Sequence, residues 1–148
     1  MTERELRAFI DVVTRYFDDV TSIPAEMGVP FVKEQAAVLL DLTGLIGISG
    51  ARRGGIYVTA PRAMLAALAA VILGTDAVED EDILDMVGEL ANTIAGNMRA
   101  TFGSTFMISV PIVVEGKPDD IHLRLKPPVF VIPIRWNGHN CYLSVGLE

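Results

Sequence analysis

Residues 82–99 read DILDMVGELANTIAGNMR, and this stretch decides how the rest of the sequence is interpreted. An α-helix turns about 100° per residue, so positions four and seven apart share one face. Asp85, Glu89 and Asn92 therefore form one narrow polar stripe, which Gly96 continues. The opposite face carries the apolar residues Ile83, Val87, Leu90, Ala91, Ile94, Met98 and Phe102. We expect a helix from about residue 79 to 101, with its apolar face in a core and its polar stripe exposed and rigidly held.

Two glycines, Gly88 and Gly96, bracket Glu89 and Asn92 on their side of this helix, and Arg99 flanks the same line. A glycine inside a helix costs about 1 kcal/mol relative to alanine, so the pair needs a reason. One explanation is that bare backbone lets another molecule approach closely. The other is that the glycines relieve crowding against a neighbouring element of the same chain. The residue pattern favours neither.

The side chains of Glu89 and Asn92 suit the placement of a water molecule better than covalent catalysis. An asparagine amide donates and accepts hydrogen bonds and does not titrate, so it can orient a water without removing its proton. A glutamate can pair with a lysine or hold a hydrogen-bond network. Positioning supplies a large share of the catalysis of phosphoryl transfer. The competing interpretation is a helix face that is merely solvated, which is the commoner reason for such residues.

Helices and a hairpin are predicted before this segment. Residues 3–19 place apolar side chains at helical spacing, and Thr2 with Glu5 forms a capping-box pattern. The apolar face of this helix comprises Leu6, Phe9, Ile10, Val13, Phe17 and Val20. Residues 38–48 and 56–59, joined by a glycine-rich turn, predict a β-hairpin. Pro61 and Gly74 bound a helix that is apolar on nearly all sides and is expected to be well buried.

Strands are predicted after it, at residues 106–115, 121–125, 129–136 and 141–145. Asn137 and Gly138 tolerate positive φ and predict a tight hairpin turn between the last two. Pro127, Pro128 and Pro133 cannot donate ladder hydrogen bonds and mark edges, bulges or strand ends. The order helix, strands, helix, helix, strands predicts a single domain over residues 1–148. Its fold class is α+β, with an antiparallel β-sheet packed against long helices on one face.

Composition restricts the classes of function. The 148 residues are 51% hydrophobic, which argues against disorder and indicates buried strands or a self-association surface. The net charge of −7 argues against nucleic-acid binding and against anionic membrane surfaces. The acidic run over residues 76–85 compensates a helix dipole or steers a basic partner. No signal-peptide core is visible, and the apolar run 63–74 is shorter than the roughly 20 residues that a bilayer requires. No membrane insertion is expected, and a cytoplasmic location is predicted.

The cysteine, the two histidines and the turn arginines are interpreted as structural or solvated residues rather than as functional ones. Cys141 is the only cysteine, so no internal disulfide forms and a reducing compartment is the simplest setting. We interpret Cys141 as a small buried hydrophobe rather than a nucleophile or redox sensor. His122 and His139 stand alone, without ligand spacing, so no metal site is expected. Arg52 and Arg53 solvate the first hairpin turn, the alternative being an anion site.

The spacing Asp85-x-x-x-Glu89-x-x-Asn92 resembles the signature of the CheC, CheX and FliY phosphatase family of bacterial chemotaxis. Residues 55–59, GIYVT, and the following small-residue helix ending at Gly74 resemble the segment before the signature helix. Residues 109–111, SVP, resemble the strand after it. One Glu-x-x-Asn helix of this type is present, which fits CheX better than CheC, since CheC usually carries two.

The resemblance implies a CheC/CheX-like fold and a phosphatase that removes the aspartyl phosphate of a CheY-like response regulator. Asn92 would orient the attacking water, and Glu89 would engage the receiver's lysine beside the phosphoryl group. The expected partner contacts are Asp85, Gly88, Gly96 and Arg99. The receiver domain would supply Mg²⁺, so this chain itself would bind no metal or cofactor. CheX-like proteins pair through their sheets, which implies a homodimer.

Two other classes of function are open. The first is a non-catalytic adaptor that binds receiver domains or flagellar-switch components with the same surface. The second is a purely structural oligomer subunit. Loss of phosphate from a receiver separates the phosphatase from the adaptor, and affinity for a phosphorylated receiver separates the adaptor from the structural subunit.

Overall fold

An antiparallel β-sheet forms the frame on which the helices of this chain lie. The computed structural model describes residues 1–33, 38–116, 125 and 128–148. Within these residues the helices are α1 (Glu3–Thr21), α2 (Arg62–Leu73), α3 (Asp80–Asn97) and α4 (Arg99–Phe102). The strands are β1 (Ala25–Met27), β2 (Phe31–Lys33), β3 (Leu42–Gly50), β4 (Gly54–Ala60), β5 (Phe106–Ile108), β6 (Ile112–Glu115), β7 (Val129–Trp136) and β8 (His139–Leu147). The predicted α+β class and element order are confirmed.

The strands follow the order β1-β7-β8-β4-β3-β5, with β2 also pairing β7 and β6 also pairing β3. Every pairing is antiparallel. Alternate residues of β3, β4, β7 and β8 join one core cluster with the apolar faces of α1, α2 and α3. The long helices therefore cover one face of the sheet. Central members of this cluster are Phe9, Phe17, Ile46, Ile56, Leu90, Ile94, Trp136 and Val145.

Both predicted hairpins are present. β3 pairs with β4 from Leu42 to Ile48, and β7 pairs with β8 across the turn at Asn137 and Gly138. The φ angles of these two turn residues are 49° and 78°, the left-handed region that a tight hairpin turn requires. β3, the first strand of the hairpin predicted over residues 38–59, begins at Leu42 rather than at residue 38.

The predicted strand 106–115 is wrong in one respect, because it is two strands. β5 and β6 both pair with β3, and residues 109–111 between them leave the ladder. There the Ser109 hydroxyl accepts a hydrogen bond of 2.8 Å from the amide of Gly47, and Pro111 has no amide to donate. Of the predicted strand 121–125, only Leu125 lies within the described residues, and His122 and Pro127 lie outside them.

Pro133 lies inside β7, where the neighbouring strand changes. β1 pairs with residues 134–136 and β2 with residues 129–131, so Pro133 falls in the gap between them. Its carbonyl accepts a 2.8 Å hydrogen bond from the amide of Gly28. Of the edges, bulges or strand ends expected at this proline, the structure shows a locally unpaired edge of β7 between β1 and β2 rather than a strand end. The three-residue strands β1 and β2 were not predicted.

Helix α1 begins with the predicted capping box. Thr2 Oγ1 accepts from the amide of Glu5 at 3.1 Å, and Glu5 Oε1 accepts from the amide of Thr2 at 2.9 Å. The predicted apolar face is wrong at its end. Val20 is 41% exposed, whereas Tyr16, which was not assigned to that face, is 7% exposed.

Helix α2 follows Pro61 and ends at Gly74, whose φ of 68° makes it the predicted left-handed cap. The expectation that α2 is well buried is wrong for its last turn. Val71, Ile72 and Leu73 are 40–54% exposed there, because the helix runs past the edge of the core formed by Met64, Leu65, Leu68 and Ala69. Among the described residues, no helix combines the length and apolarity needed to cross a membrane.

Helix α3 packs closely on β3 at Gly44. A Cβ atom at Gly44 would lie 2.5 Å from the carbonyl oxygen of Val87 and 3.2 Å from Cβ of Ala91. Gly44 is paired with Val113 of β6, and a Cβ atom at Gly88 would lie 3.2 Å from Cγ2 of Val113. Two adjacent strands thus hold the Val87–Gly88 turn of α3, which fixes the position of the whole helix.

We predict that Gly44→Ala lowers the free energy of unfolding by about 1–3 kcal/mol, since overpacking against backbone cannot be relieved by a rotamer change. The matched control is Gly47→Ala in the same strand, where a Cβ atom would meet only the Ser109 side chain at 3.4 Å. Urea denaturation of both variants provides the measurement. Equal stabilities of the two variants would contradict close packing at Gly44.

Candidate functional site on helix α3

The polar stripe predicted on residues 82–99 lies on one continuous helix. Asp85 and Glu89 are exposed, and Asn92 and Gly96 are half-buried. The opposite face is anchored as expected, because Ile83, Val87, Leu90, Ala91 and Ile94 are at most 6% exposed. The stripe is therefore accessible and belongs to a helix whose backbone is fixed to the sheet.

The Glu89 carboxylate has a polar neighbour on its own helix. Its Oε1 is 3.4 Å from the Thr93 hydroxyl, one turn further along α3. Burial, with a smaller effect of the negative charge of Glu89, raises the pKa of the Tyr16 phenol of α1 to about 12. Tyr16 lies seven residues after Phe9 and three after Val13, which places it on the apolar face of α1.

The Asn92 side-chain amide is free to bind another group. Within residues 1–33, 38–116, 125 and 128–148, it makes no hydrogen bond to the chain. A half-buried amide without an internal partner retains two donors and one acceptor oxygen for water or a ligand. Its backbone belongs to a helix anchored on the sheet, so the amide projects from a fixed point of the surface.

The two glycines of the stripe have different surroundings. Gly88 is buried, and a Cβ atom there would lie 3.2 Å from Val113 and 3.7 Å from Pro111. Crowding within the chain explains why residue 88 is a glycine. The alternative explanation, backbone left bare for the approach of another molecule, is wrong at Gly88. A Cβ atom at Gly96 would meet only Cδ1 of Ile108, at 3.9 Å. Gly96 therefore leaves open space beside the helix, as close approach of another molecule requires. Contact of Gly88 or Gly96 with a partner stays a prediction.

Arg99 does not continue the helix that carries the stripe. Helix α3 ends at Asn97, and the Met98 amide bonds the Ala95 carbonyl at 3.2 Å, which tightens the last turn. Arg99 begins α4, and its guanidinium donates to the Ser104 carbonyl at 3.0 Å. The prediction of one helix to about residue 101 is wrong there, and the role of Arg99 toward a partner stays a prediction.

Acidic residues of the run 76–85 lie around the start of α3. Asp80, Glu81 and Asp82 occupy its first turn, where negative charge is favoured by the helix dipole. Asp82 also accepts a 3.0 Å hydrogen bond from the amide of Glu79. Arg62 links Asp80 at 3.0 Å with Glu115 at 2.7 Å, so part of the acidic run is paired within the chain.

The arginines of the first hairpin turn differ from each other. Arg52 pairs with Glu5 of α1, donates to the Glu148 carbonyl and lies 5.3 Å over the ring of Phe102. Arg53 is exposed. Arg52 therefore links the hairpin turn to α1 and α4. Neither interpretation of the turn arginines, solvation of the turn or an anion site, predicted these contacts.

Cys141 is fully buried in β8, and burial raises the pKa of its thiol to about 12. A thiol that stays protonated is a poor nucleophile, so the interpretation as a small hydrophobe is confirmed. In the part of the chain that the structure describes, no group of three or more His, Cys, Asp or Glu residues has the geometry of a metal site.

Two cavities lined by described residues lie away from the stripe. One of about 260 Å³ lies between Met27, Pro133 and Tyr142, and one of about 350 Å³ lies between Gly55, Tyr57 and Leu125. Neither contains a residue of α3. Small-molecule sites are concave, whereas the α3 stripe is a convex helix surface. Its shape favours a macromolecular partner.

Proteins similar to this chain include chemotaxis proteins. Residues 42–135 match the family model described as chemotaxis phosphatase CheX. The CheX structure from Desulfovibrio desulfuricans is 29% identical, with a TM-score of 0.85 over 98% of this chain and 99% of that chain. A chemotaxis protein from Desulfovibrio vulgaris Hildenborough is 30% identical, with a TM-score of 0.85 over 98% of this chain and 97% of that chain.

A third structure, the complex of CheX, CheY, BeF₃ and Mg²⁺ from Borrelia burgdorferi, is 21% identical and shares the fold. Its TM-score is 0.79 over 97% of each chain. Comparison with curated protein sequences gives no match. The family model covers more than half of the chain, so this protein belongs to the CheX family of chemotaxis phosphatases. The predicted resemblance is confirmed.

We predict that Gly96→Ala raises the free energy of unfolding by about 0.5–1 kcal/mol, because alanine is the better helix former and nothing obstructs its methyl group. Chemical denaturation provides the measurement. A destabilised Gly96→Ala variant would show that the space beside Gly96 is needed by the folded chain itself and would contradict an open approach path there.

Proposed function

We propose that this protein hydrolyses the aspartyl phosphate of a CheY-like receiver domain, with the α3 stripe docked beside the phosphoryl group. The observation that carries the proposal is the Asn92 amide, which is accessible, has no partner in the described chain and sits on a fixed helix. Membership of a chemotaxis phosphatase family supports the reaction class. The Borrelia burgdorferi CheX crystallised with CheY, BeF₃ and Mg²⁺ supports the class of partner.

Asn92 is proposed to orient the attacking water. Phosphoryl transfer passes through a loose transition state that requires little proton removal from the nucleophile. A group that accepts from the water and donates to a phosphoryl oxygen can therefore act by alignment alone. The asparagine amide provides both functions in one side chain.

Glu89 is proposed to engage the receiver's lysine beside the phosphoryl group. Its carboxylate is exposed and lies one turn before Asn92 on the same stripe, so both can reach one site on a partner. Pairing with a lysine would fix the receiver's position relative to Asn92. Asp85, a further turn away and exposed, is proposed as an outer contact. The receiver would hold the Mg²⁺, and this chain would contribute no ligand to it.

The charge of the docking surface fits a basic rim on the partner. Asp85 and Glu89 extend the acidic first turn of α3 along its exposed side. Complementary charge raises association rates more than affinity. Docking that depends on this charge should weaken as salt rises, since exposed charges are screened beyond about 8–10 Å at physiological ionic strength.

We predict that Asn92→Ala slows receiver dephosphorylation by about a hundredfold or more, the scale of lost positioning. The decay of a ³²P-labelled receiver measures the rate, and titration calorimetry measures binding. The matched control is Asn97→Ala, which removes an exposed asparagine from the end of the same helix. That control should retain the wild-type rate.

The same assay decides between the phosphatase and the adaptor. If the wild-type protein binds the phosphorylated receiver and leaves its phosphate lifetime unchanged, the phosphatase proposal fails and the adaptor interpretation stands. If the wild-type protein binds no receiver of its own organism, both fail and a structural role remains. Equal rates for Asn92→Ala and wild type would reject the role of Asn92 without rejecting the activity.

We also propose a cytoplasmic homodimer that pairs through a sheet edge. The outer strands carry exposed apolar residues, with Phe31 and Val32 on β2 and Ile112 and Val113 on β6 at 38–64% exposure. Unprotected edges of this kind favour pairing with another strand. Light scattering should give twice the chain mass. Val32→Lys and Ile112→Lys, made separately, should identify the edge, and a monomeric wild type at working concentration would reject the dimer.

A further inference from the structure

Thr93 is a half-buried residue of α3 that directly follows Asn92 and lies one turn beyond Glu89. Its hydroxyl donates a hydrogen bond of 3.4 Å to Oε1 of the Glu89 carboxylate. A threonine side chain has few χ1 rotamers in a helix, and partial burial restricts this one further. The exposed carboxylate of Glu89 therefore has a well-placed donor beside it on its own helix.

The direction of this hydroxyl distinguishes Thr93 from the threonines of α1. Thr14 and Thr21 donate to the backbone carbonyl four residues earlier, at 2.8 Å and 2.6 Å. This is a common arrangement for a threonine inside a helix. The bond of Thr93 also spans four residues, but its acceptor is the side chain of Glu89. The hydroxyl of Thr93 thus acts on a residue of the proposed site.

The bond also determines how far along α3 the carboxylate lies. Side chains of a helix lean toward its N-terminus, and for Glu89 that direction leads toward the acidic Asp85. A helix rises about 1.5 Å per residue, so Asn92 and Thr93 begin about 4.5 Å and 6 Å beyond Glu89. A carboxylate bonded to Thr93 therefore lies near the level of the Asn92 amide. Both groups can then meet one site on a partner.

We propose that Thr93 is a positioning residue for Glu89 in receiver dephosphorylation. Its hydroxyl holds the carboxylate along α3, so that one oxygen accepts from Thr93 and the other remains for the receiver's lysine. Thr93 itself contacts neither the lysine nor the phosphoryl group. This inference rests on the proposed function and adds a residue to it.

The benefit of this arrangement is order that exists before the receiver binds. A glutamate side chain loses considerable rotamer freedom when it is fixed, and a donor that restricts it in the free protein reduces that loss in the complex. The distance of 3.4 Å is long for a hydroxyl donor. Hydrogen bonds of catalytic groups are often long in free enzymes and tighten in the complex.

The variant Thr93→Val removes the hydroxyl, keeps the branched shape and has a similar helix propensity. We expect kcat for loss of ³²P from a labelled CheY-like receiver to fall about three- to tenfold, the scale of one hydrogen bond. KM for the receiver should be nearly unchanged, and Thr93→Ser, which keeps the hydroxyl, should restore kcat. The matched control is Thr14→Val, which removes a helical hydroxyl bonded to backbone and should keep the wild-type rate.

A double-mutant cycle with Glu89→Ala separates positioning from direct action on the phosphoryl group. In the Glu89→Ala background, Thr93→Val should cause no further loss of kcat, because the hydroxyl acts through that carboxylate. A further loss as large as in the wild-type background would show that Thr93 acts on the phosphoryl group or the water itself, and would overturn the proposal.

A second measurement needs no receiver. Relaxation of ¹³C in glutamate side chains of the free protein reports their order on the picosecond to nanosecond timescale. Thr93→Val should lower the order parameter of the Glu89 Cγ group and leave that of Glu81, in the first turn of α3, unchanged. An unchanged order parameter at Glu89 would overturn the proposal, since Thr93 would then not restrict the carboxylate.

The two measurements keep this proposal separable from the phosphatase function. A wild-type kcat for Thr93→Val alongside an impaired Glu89→Ala would overturn the role of Thr93 while the phosphatase function stands. A wild-type protein that leaves the receiver's phosphate in place would instead reject the proposed function, and the catalytic role of Thr93 with it. The order parameters would still show whether Thr93 holds the carboxylate.

Discussion

The close contact between α3 and β3 is the constraint on which the rest of this structure depends. At Gly44 the strand has no side chain, and the carbonyl oxygen of Val87 lies 2.5 Å from the position that a Cβ atom would take. Helix backbone therefore rests almost directly on strand backbone. Gly88 is the next residue of α3, and its lack of a side chain leaves room for Val113 of the neighbouring strand. A helix held at two adjacent positions by two paired strands has a fixed height and a fixed rotation.

That rotation determines which side chains point outward. With Val87 and Ala91 on the sheet, Asp85, Glu89 and Asn92 lie on the outer side of the helix. A fixed helix presents them as a rigid convex ridge, which a protein partner can cover and a small molecule cannot. Catalysis by alignment depends on such rigidity, because misplacement of about 1 Å can cost a hundredfold in rate. The packing of Gly44 thus connects the core to the proposed chemistry.

Much of this arrangement follows from local sequence pattern. The period of residues 82–99 predicts the helix and its stripe, and the Thr2–Glu5 capping box and the Asn137–Gly138 turn are local signals that the structure reproduces. Local sequence pattern did not predict β1, β2 or the break between β5 and β6. β1 and β2 have three residues each, which is too short for any alternation to appear. The break between β5 and β6 depends on the bond from Gly47 to Ser109, 62 residues apart in sequence.

The candidate site, too, could be predicted from the sequence only in part. Glu89 and Asn92 were found because both lie on one helix and match a family signature. The explanation for Gly88 was not decidable from sequence, because it depends on Val113 and Pro111, which the fold brings from another strand. Residues whose role arises between elements become visible only when the elements are packed.

The central claim is that Asn92 faces the phosphoryl group of a receiver. A crystal structure of this protein with a beryllofluoride-activated receiver from the same organism tests it most directly. The account predicts that the Asn92 amide lies about 3 Å from a water in line with the acyl phosphate mimic, with Glu89 on the receiver's lysine. A receiver bound elsewhere on the surface, with the α3 stripe left in solvent, would contradict it.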